Sequence, residues 1–343
     1  RRGAPRGHSL PGIVPLHCVV MTTPRVSIGL PVYNGEAYLE EALNSILSQT
    51  YENFELIVSD NAATDGTEKI CRLYAGIDER IRYVRHEENR GGAANFNHVV
   101  RLARGEYFRW ACHDDTLEPT CLERCVSVLD ADPATVLCYV RPQMIDADGR
   151  PLDNTRFYLK SLHLRSPDPS ERFRRYLMAY YPVGGMCNAV YGLMRRHVLT
   201  QTALINNYPD SDVVLLGEIA LWGKYYEIPE RLFNRRDHPQ TSVRANPDVQ
   251  ERALWFDPRN EGRLILPRWL RLIEYVRAIR RAPLASVERT HCYGLLLRHY
   301  VRYEYRKMYR EAREAVHEVL ARRSQTAVKP APQVLSQVPE HSS

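Results

Sequence analysis

Short apolar runs alternate with amphipathic runs along the first part of the chain. A helix is predicted over residues 36–47, where Leu39, Leu43 and Ile46 share one face, and Asn34 would open it. This alternation is typical of βαβ units and predicts an α/β fold with a mainly parallel sheet. Four runs are apolar enough to be its strands: residues 25–33, 54–60, 81–86 and 106–112.

The later part of the chain is less regular. Residues 150–170 contain prolines and little periodicity, which predicts a loop. Residues 263–323 are predicted to be mostly helical. The elements predicted between Pro119 and Pro229 are helices over 119–133, 171–181 and 211–222, and strands over 135–146 and 224–229.

Composition places the chain among ordinary globular proteins. Of its 343 residues, 44% are hydrophobic and 26% charged, and no apolar run reaches the roughly 18–20 residues needed to cross a bilayer. The eight cysteines are scattered without a CxxC pair, which argues against a disulfide framework or zinc site and fits a reducing cytosol. Residues 1–22, with two prolines in their apolar stretch, are predicted to be a disordered leader before or around Met21 rather than a signal peptide.

Positive charge is concentrated near the C-terminus. From Arg263 to Arg323 there are fifteen Lys or Arg and six Glu, against a net charge of +6 for the whole chain. Arginines interleaved with tyrosines can form a surface that lies on an anionic membrane, or helices that pack by their aromatic face with the arginines in water. No nucleic-acid-binding motif accompanies the charge, so nucleic acid is not an expected partner. Residues 324–343 are predicted to be a disordered tail.

Acidic residues follow the predicted strands. Asp60 ends one strand, and Asp114 and Asp115 end another, at the edge where open α/β sheets bind ligands. The chain has no GxGxxG and no GxxxxGK[ST] motif for binding a nucleotide. Adjacent carboxylates repel each other, so a hard divalent cation is a natural partner. Taken alone, however, such a pair at a strand end is more often a turn or a helix cap.

The order of these motifs resembles a known family. "VSIGLPVYNGEAYLEEALNSILSQTYENFELIVSDNAATDGT" followed by "RGEYFRWACHDD" is similar to the nucleotide-sugar half of family 2 glycosyltransferases of the GT-A fold, over about Arg25 to Leu129. The resemblance implies a mainly parallel, Rossmann-like sheet flanked by helices, with a helical C-terminal region. It also implies a GT-A domain over 23–245, divided into a nucleotide-sugar half (23–130) and an acceptor half (131–245), and a basic helical region over 246–323.

The resemblance assigns a donor site to the strand ends. Pro31 and Tyr33 match positions that contact the nucleotide base, with Asn34 and Glu36 beside them. Asp60 matches the first of two family acids, whereas Asn61 replaces the second. An amide can both donate to and accept from a base, so this departure weakens the case for uridine and leaves thymidine and guanosine donors open.

The resemblance also assigns a metal site. Asp114 would lie near the ribose, and Asp115 would ligate Mg²⁺ or Mn²⁺ on the diphosphate, where the cation neutralises the leaving charge. The later "RRDHPQTS" resembles the family's Arg-x-His segment, which puts Arg236 at the donor and His238 at the metal. A solvated loop is the alternative for that segment. Cys112 and His113 receive no role.

Asp212 matches the position of the family's catalytic base, which takes a proton from the acceptor hydroxyl in an inverting displacement. Its alternative role is an N-terminal helix cap. The resemblance thus predicts an inverting, metal-dependent transferase of a nucleotide-diphosphate sugar to a saccharide or lipid-linked acceptor in cell-envelope synthesis. It would be cytoplasmic or peripheral on the inner membrane surface. The alternative is an inactive nucleotide-sugar-binding protein of the same fold.

Overall fold

The structure, a computed structural model, describes residues 23–153, 161–180 and 188–327. Eight strands among these residues form one sheet in the order β3-β2-β1-β4-β7-β6-β8-β5. They are β1 (Val26–Val32), β2 (Phe54–Asp60), β3 (Ile81–Arg85), β4 (Tyr107–Trp110), β5 (Thr116–Leu117), β6 (Thr135–Ile145), β7 (Leu193–Arg195) and β8 (Lys224–Arg236). The predicted α/β fold with a mainly parallel sheet is confirmed.

Strands β1 to β4 form the parallel part of the sheet. β1 pairs in parallel with β2 and β4, and β3 pairs in parallel with β2. β1 and β2 are buried along their whole length, which explains why their sequences are almost continuously apolar rather than alternating. Because these strands end at one edge of the sheet, Tyr33, Asn61 and residues 111–115 emerge there together.

The other part of the sheet is mixed. β7 is antiparallel to β4 and β6, β6 is parallel to β8, and β5 is antiparallel to β8 with Thr116 opposite Asn234. β8 was predicted to stop at residue 229, and it runs to Arg236. Its polar second half continues because β6 and β5 hydrogen-bond to it, and this extension brings Arg235 and Arg236 to the acidic pair.

Twelve helices of the described residues flank the sheet. They are α1 (Leu39–Leu47), α2 (Thr67–Ile77), α3 (Gly92–Leu102), α4 (Cys121–Ala131), α5 (Pro169–Tyr180), α6 (Arg196–Leu199), α7 (Ser211–Trp222), α8 (Ser242–Ala245), α9 (Val249–Phe256), α10 (Pro267–Arg281), α11 (Ser286–His299) and α12 (Tyr305–Ala327). α1 begins at Leu39 rather than at residue 36, because Glu36 is held in a turn by hydrogen bonds to Asp65 and Gly66.

Apolar side chains pack on both faces of the sheet. One cluster lies under α1, α2 and α4, and the other lies under α3, α5, α7 and α10. α7 is central to the second cluster, since every residue from Val213 to Leu221 is buried. Burial of each large apolar side chain contributes roughly 1.5–3 kcal/mol, so α7 is a major anchor of the fold.

The C-terminal region is helical, as predicted. Tyr275 of α10 is fully buried, and a Cβ on Gly217 of α7 would lie 2.6 Å from its ring, so α10 packs closely on α7. A short π-helical segment, Tyr300–Glu304, joins α11 to α12. α12 runs to Ala327, past the predicted start of the tail at residue 324.

Residues 1–22 and 328–343, which were predicted to be disordered, lie outside the described residues, and the predicted domain limits stay a prediction. Within the part of the chain that is described, no helix is long and apolar enough to cross a membrane.

Candidate active site

A cleft of ≈ 510 Å³ opens at the edge where β1, β2 and β4 end. Three of the predicted site residues, Glu36, Asp60 and Asp212, are not among the described residues that line it. The structure brings the other predicted residues together along its surface: Pro31, Tyr33, Asn34, Asn61, Asp114, Asp115, Arg236 and His238.

The acidic wall of the cleft consists of Asp114, Asp115, Arg236 and His238. Asp115 is 7% exposed, and its Oδ1 accepts a hydrogen bond of 2.9 Å from the backbone N–H of Arg236. Burial and then the neighbouring charge of Asp114 raise the pKa of Asp115 to about 8. Burial also opposes ionisation of Asp114, but its pKa is lowered by a hydrogen bond with His238, whose Nε2 lies 3.0 Å from Oδ2. The pKa values of the two carboxyl groups are therefore shifted in opposite directions.

Arg236 braces the acidic wall. Its side chain is 1% exposed, and its guanidinium donates to the carbonyl of Asp114 at 2.9 Å, to that of Ala147 at 3.0 Å and to the carboxylate of Glu41 at 2.6 Å. The same guanidinium lies over the ring of Tyr38, 4.6 Å from its centroid. In this conformation the guanidinium engages protein groups, and its predicted contact with the donor stays a prediction.

Arg235 is a cleft residue that the sequence analysis missed. It lines the cleft and donates to the Oδ1 of Asn188 at 2.7 Å, and its charge lowers the pKa of Asp115, although not enough to offset burial. Successive residues of a strand point to opposite faces, so the pair Arg235–Arg236 was itself a signal that each arginine has a different environment.

Three side chains could hold a metal ion. The Sγ of Cys112 and carboxylate oxygens of Asp114 and Asp115 all lie within 4.8 Å of one another. A thiol is a softer donor than a carboxylate and suits a hard divalent cation less well, and burial raises the pKa of the Cys112 thiol well above its usual value. The remaining donors are carboxylate oxygens, which fit a hard divalent cation such as Mg²⁺ or Mn²⁺. His238, predicted as a ligand, contacts Asp114 in this arrangement.

The loop after β1 is tied to the loop after β2. Asn34, at a φ of 50°, accepts a hydrogen bond of 2.8 Å from the N–H of Thr64. Glu36 accepts a hydrogen bond of 2.8 Å from the N–H of Gly66, and this explains why its carboxylate holds the loop rather than lining the cleft. Tyr33, by contrast, is 42% exposed at the cleft. The hydrogen bonds of Asn34 and Glu36 therefore hold the loop in place while the ring of Tyr33 is exposed in the cleft.

Asp60 and Asn61 hold backbone loops in place. Asp60 is fully buried and accepts from the hydroxyl of Tyr83 at 2.7 Å and from the N–H of Ala63 at 2.8 Å. Asn61 accepts from the N–H of Arg90 at 2.9 Å and donates to the Oδ1 of Asn89 at 2.8 Å. Of the two, Asn61 lines the cleft.

The α9 wall, formed by Gly92, Leu254 and Trp255, was also missed. Trp255 and Leu254 line the cleft and are 37% and 39% exposed. A Cβ on Gly92 would lie 2.7 Å from the indole of Trp255, and one on Gly91 would lie 2.5 Å from the carbonyl of Phe256. The two glycines let α9 approach the start of α3. The adjacent glycines Gly91 and Gly92 were the feature of the sequence that could have indicated this close contact. The cleft lining thus crosses the domain boundary predicted at residue 245.

Asp212 lies in the first turn of α7. It is half-buried, and its Oδ1 lies 3.0 Å from the N–H of Val213. The backbone beside it is anchored, since the hydroxyls of Tyr176 and Tyr275 both donate to the carbonyl of Val213, at 2.7 and 3.3 Å. α7 also packs against residues 188–191, which contribute Tyr191 to the cleft.

The sequence profile described as Glycosyl transferase family 2 matches residues 27–200, which is just over half of the chain. The chain belongs to glycosyl transferase family 2. The matched residues contain β1 to β7 and the acidic pair.

Curated relatives of this family 2 chain are similar over its N-terminal part. An uncharacterized glycosyltransferase of Rickettsia felis is 39% identical over 132 residues, which are 38% of this chain and 21% of the relative. TuaG of Bacillus subtilis, a glycosyltransferase assigned to teichuronic acid biosynthesis, is 34% identical over 130 residues, which are 38% of this chain and 51% of the relative. The chain therefore spans about a fifth to a half of the length of these relatives.

A solved structure shares the fold of this family 2 chain. Residues 1–349 of S. aureus TarS, in complex with UDP, superpose with a TM-score of 0.53 at 18% identity, covering 81% of this chain and 72% of that one. At this identity the likeness concerns the fold alone. It confirms the predicted GT-A type architecture of a curled, mostly parallel sheet between helices.

Proposed function

We propose that the chain is an inverting glycosyltransferase that moves one sugar from a nucleotide-diphosphate donor to a saccharide or lipid-linked acceptor. The observation that carries this proposal is the pair of the buried Asp115 and the half-buried Asp114 at the strand ends, facing a cleft large enough for a ligand. We further propose a role in cell-envelope polysaccharide or glycolipid synthesis at the cytoplasmic face of the membrane, supported by the similarity to TuaG.

We assign the nucleotide base to the part of the cleft near Pro31, Tyr33 and Asn61. The exposed ring of Tyr33 can stack on a base. Asn61 would act through the loop that it orders, because its amide already bonds to residues 89 and 90. The shared fold with TarS, which is in complex with UDP, supports a nucleotide in this cleft.

We assign a divalent cation, Mg²⁺ or Mn²⁺, to Asp115 with Asp114 beside it. When bound, such an ion neutralises charge on the departing diphosphate. Asp115 would use the carboxylate oxygen that does not accept from Arg236, and His238 would hold Asp114 in position through their hydrogen bond. Arg235 adds a positive charge at the same end of the cleft, where it would attract the diphosphate.

We assign Asp212 as the base that accepts a proton from the acceptor hydroxyl as that oxygen attacks the anomeric carbon. Tyr176 and Tyr275 would hold its backbone through the carbonyl of Val213. Asp212 is not among the described residues that line the cleft, and this observation keeps a second candidate in view: a protein that binds nucleotide sugars without transferring them.

The decisive experiment is a thermal-shift screen of UDP-, dTDP- and GDP-sugars with and without Mn²⁺, since a ligand of the folded state raises its stability. One donor should raise the melting temperature, more strongly with Mn²⁺. Asp115→Ala should remove the metal-dependent part of that shift, whereas His113→Ala, a change of a neighbouring cleft residue, should keep it. If no donor shifts either protein, the assignment of the cleft is wrong.

A turnover assay separates the two candidates. Asp212→Asn should keep the donor-induced shift while transfer or donor hydrolysis falls by about 10²-fold or more, because general-base catalysis contributes on that order. Full activity in this variant would mean that another group is the base. Donor binding by the parent protein without any turnover would favour the binding protein.

A further inference from the structure

The outer side of α12 carries an exposed apolar row. Tyr305, Tyr309 and Val316 are 51%, 70% and 58% exposed. Their spacing of four and seven residues places them on one face of the helix. The side of α12 that packs on the protein lies about a quarter turn away, where Met308 and Ala315 are 6% and 7% exposed. The apolar row therefore lies outside the packed core.

A row of arginines runs beside the apolar row. Arg306, Arg310 and Arg313 are exposed and lie roughly a quarter turn around the helix from Tyr305. Nε of Arg306 donates to the hydroxyl of Tyr305 at 2.8 Å, which joins the two rows. Within the described residues, none of these three arginines forms an ion pair with a carboxylate.

Arginines on the inner side of the same bundle behave differently. Arg268 and Arg271 both approach Glu304, at 3.6 and 3.5 Å, and Arg281 forms a bidentate pair with Glu218 at 2.8 and 2.9 Å. Inner positive charge is thus neutralised by the protein. The charge on the outer row is left for an external anion.

We propose that this surface of α12, formed by Tyr305, Tyr309, Val316 and the three adjacent arginines, docks on an anionic lipid bilayer. Tyrosine and valine would enter the boundary between headgroups and acyl chains, while the arginines contact lipid phosphates. Trp269 of α10 extends the surface, since it is 40% exposed and its Nε1 donates to the carbonyl of Met308 at 3.3 Å.

Two other occupants fit these features less well. A nucleic-acid backbone would engage the arginines but would leave Val316 and the tyrosine rings in water. A second copy of the chain would bury the apolar row but would bring Arg310 against like charges, because the arginine row would face its own symmetry mate. A bilayer with anionic lipid satisfies both rows at once. The inference concerns a surface outside the cleft and does not depend on the proposed reaction.

Sedimentation with vesicles tests this surface. The full chain should pellet with vesicles of phosphatidylcholine containing phosphatidylglycerol, less with pure phosphatidylcholine, and less at high salt. The double change Arg310→Gln with Arg313→Gln should weaken binding about tenfold or more. The matched change Arg82→Gln with Arg101→Gln removes two exposed arginines from the sheet domain and should leave binding within about twofold. Equal binding of the two double variants would overturn the proposal.

The apolar row needs its own test. Tyr309→Ser with Val316→Ser should lose vesicle binding even at low salt, with an unchanged melting temperature, because both side chains are exposed. Unchanged vesicle binding would contradict the proposal that Tyr309 and Val316 are part of the docking surface. If the protein binds RNA and not vesicles, the bilayer is the wrong occupant. The same holds if the protein does not bind vesicles but forms a dimer in sedimentation velocity that these substitutions convert to a monomer.

Discussion

The acidic wall and the α9 wall of the cleft are built in different ways. The acidic wall is buried and held by directional hydrogen bonds between segments far apart in sequence, such as that of Arg236 with Asp115. The α9 wall is half exposed and rests on van der Waals contact between Trp255 and Gly92. A wall of the first kind is rigid before any ligand arrives, whereas one of the second kind can adjust to the ligand's shape.

This difference fits the cation site proposed for the acidic wall, and we expect the α9 wall, which carries the half-exposed indole of Trp255, to contact the donor through its surface area. Negative charge on a departing diphosphate must be stabilised by groups that are already in place, and the hydrogen-bonded Asp114 and Asp115 would meet that need by holding the divalent cation in a fixed position. Stacking against a flat ring or the face of a sugar depends more on the contact area than on the direction of individual hydrogen bonds. The two walls should therefore respond differently to substitution.

The largest effect is expected for the brace of the acidic wall. Arg236→Met should lower the free energy of unfolding by about 2–4 kcal/mol, because three part-buried acceptors in separate segments lose one shared charged donor at once. Urea denaturation measures this change. Arg235→Met is the matched control on the next residue and should cost less than about 1 kcal/mol, since Arg235 is half-buried and has fewer buried acceptors to satisfy. Equal losses would mean that the acidic wall does not depend on Arg236.

An intermediate effect is expected at the α9 wall. Trp255→Ala should weaken donor binding about fivefold, on the order of 1 kcal/mol of lost stacking area, with a smaller loss of stability than Arg236→Met. Titration calorimetry gives the affinity and a melting curve gives the stability. A stability loss as large as that of Arg236→Met, with donor affinity unchanged, would make Trp255 a packing residue alone.

Gly92→Ala sharpens the same test. The new methyl group would start 2.7 Å from the indole, so the ring must move while the helix itself is not strained. Donor affinity should fall and the melting temperature should stay nearly constant. Gly76→Ala is the control, because a Cβ there meets no atom within 4 Å.

The smallest effect concerns pH. Beneath the start of α3, the hydroxyl of Ser59 contacts His86 at 3.3 Å and His98 at 3.1 Å. Burial first, and then nearby positive charge, lowers the pKa of both imidazoles below the ordinary value of 6.5. At these two sites the unfolded chain binds protons that the folded chain does not, so their contribution to the free energy of unfolding should fall as pH drops below about 6.5. Asp115 acts in the opposite direction, because its pKa of about 8 lets the folded chain keep a proton that the unfolded chain releases.

His98→Gln should flatten that pH dependence, which denaturation curves at several pH values would measure. Gly76→Ala should leave the slope between about pH 7 and 6 unchanged, since a Cβ there meets no atom within 4 Å and neither Asp115 nor the two imidazoles are affected. A slope that persists in the His98 variant would assign the pH dependence to other groups.

The sequence was sufficient for the parallel half of the sheet and for the position of the acidic pair. β1 and β2 are buried on both faces, so their apolar runs were long and clear. Asp114 and Asp115 follow such a run directly, and strand ends in parallel sheets converge. At these residues the apolar run in the sequence and the position of the strand end in the sheet lead to the same prediction.

The rest of the cleft depends on long-range pairing that no local pattern encodes. The pairing of β6 with β8, which sets Met144 opposite Arg235 and Ile145 opposite Arg236, brings both arginines to the cleft. Asp60 looked like a ligand contact from its position, and it is fully buried with its own partners because Tyr83 lies on the neighbouring strand. The α9 wall depends on how a polar, weakly periodic segment folds back onto α3.

The close packing of α9 on the glycine pair has a consequence for protein engineering. Helices after a sheet domain are often exchanged as cassettes to alter what an enzyme recognises. Here a cut at residue 245 would remove Trp255 from the cleft and Tyr275 from the anchor of α7. A chimaera that keeps residues 23–285 together would retain these two contacts, and the exchanged α11 and α12 would have to replace the core contacts of Cys292, Leu296 and Met308.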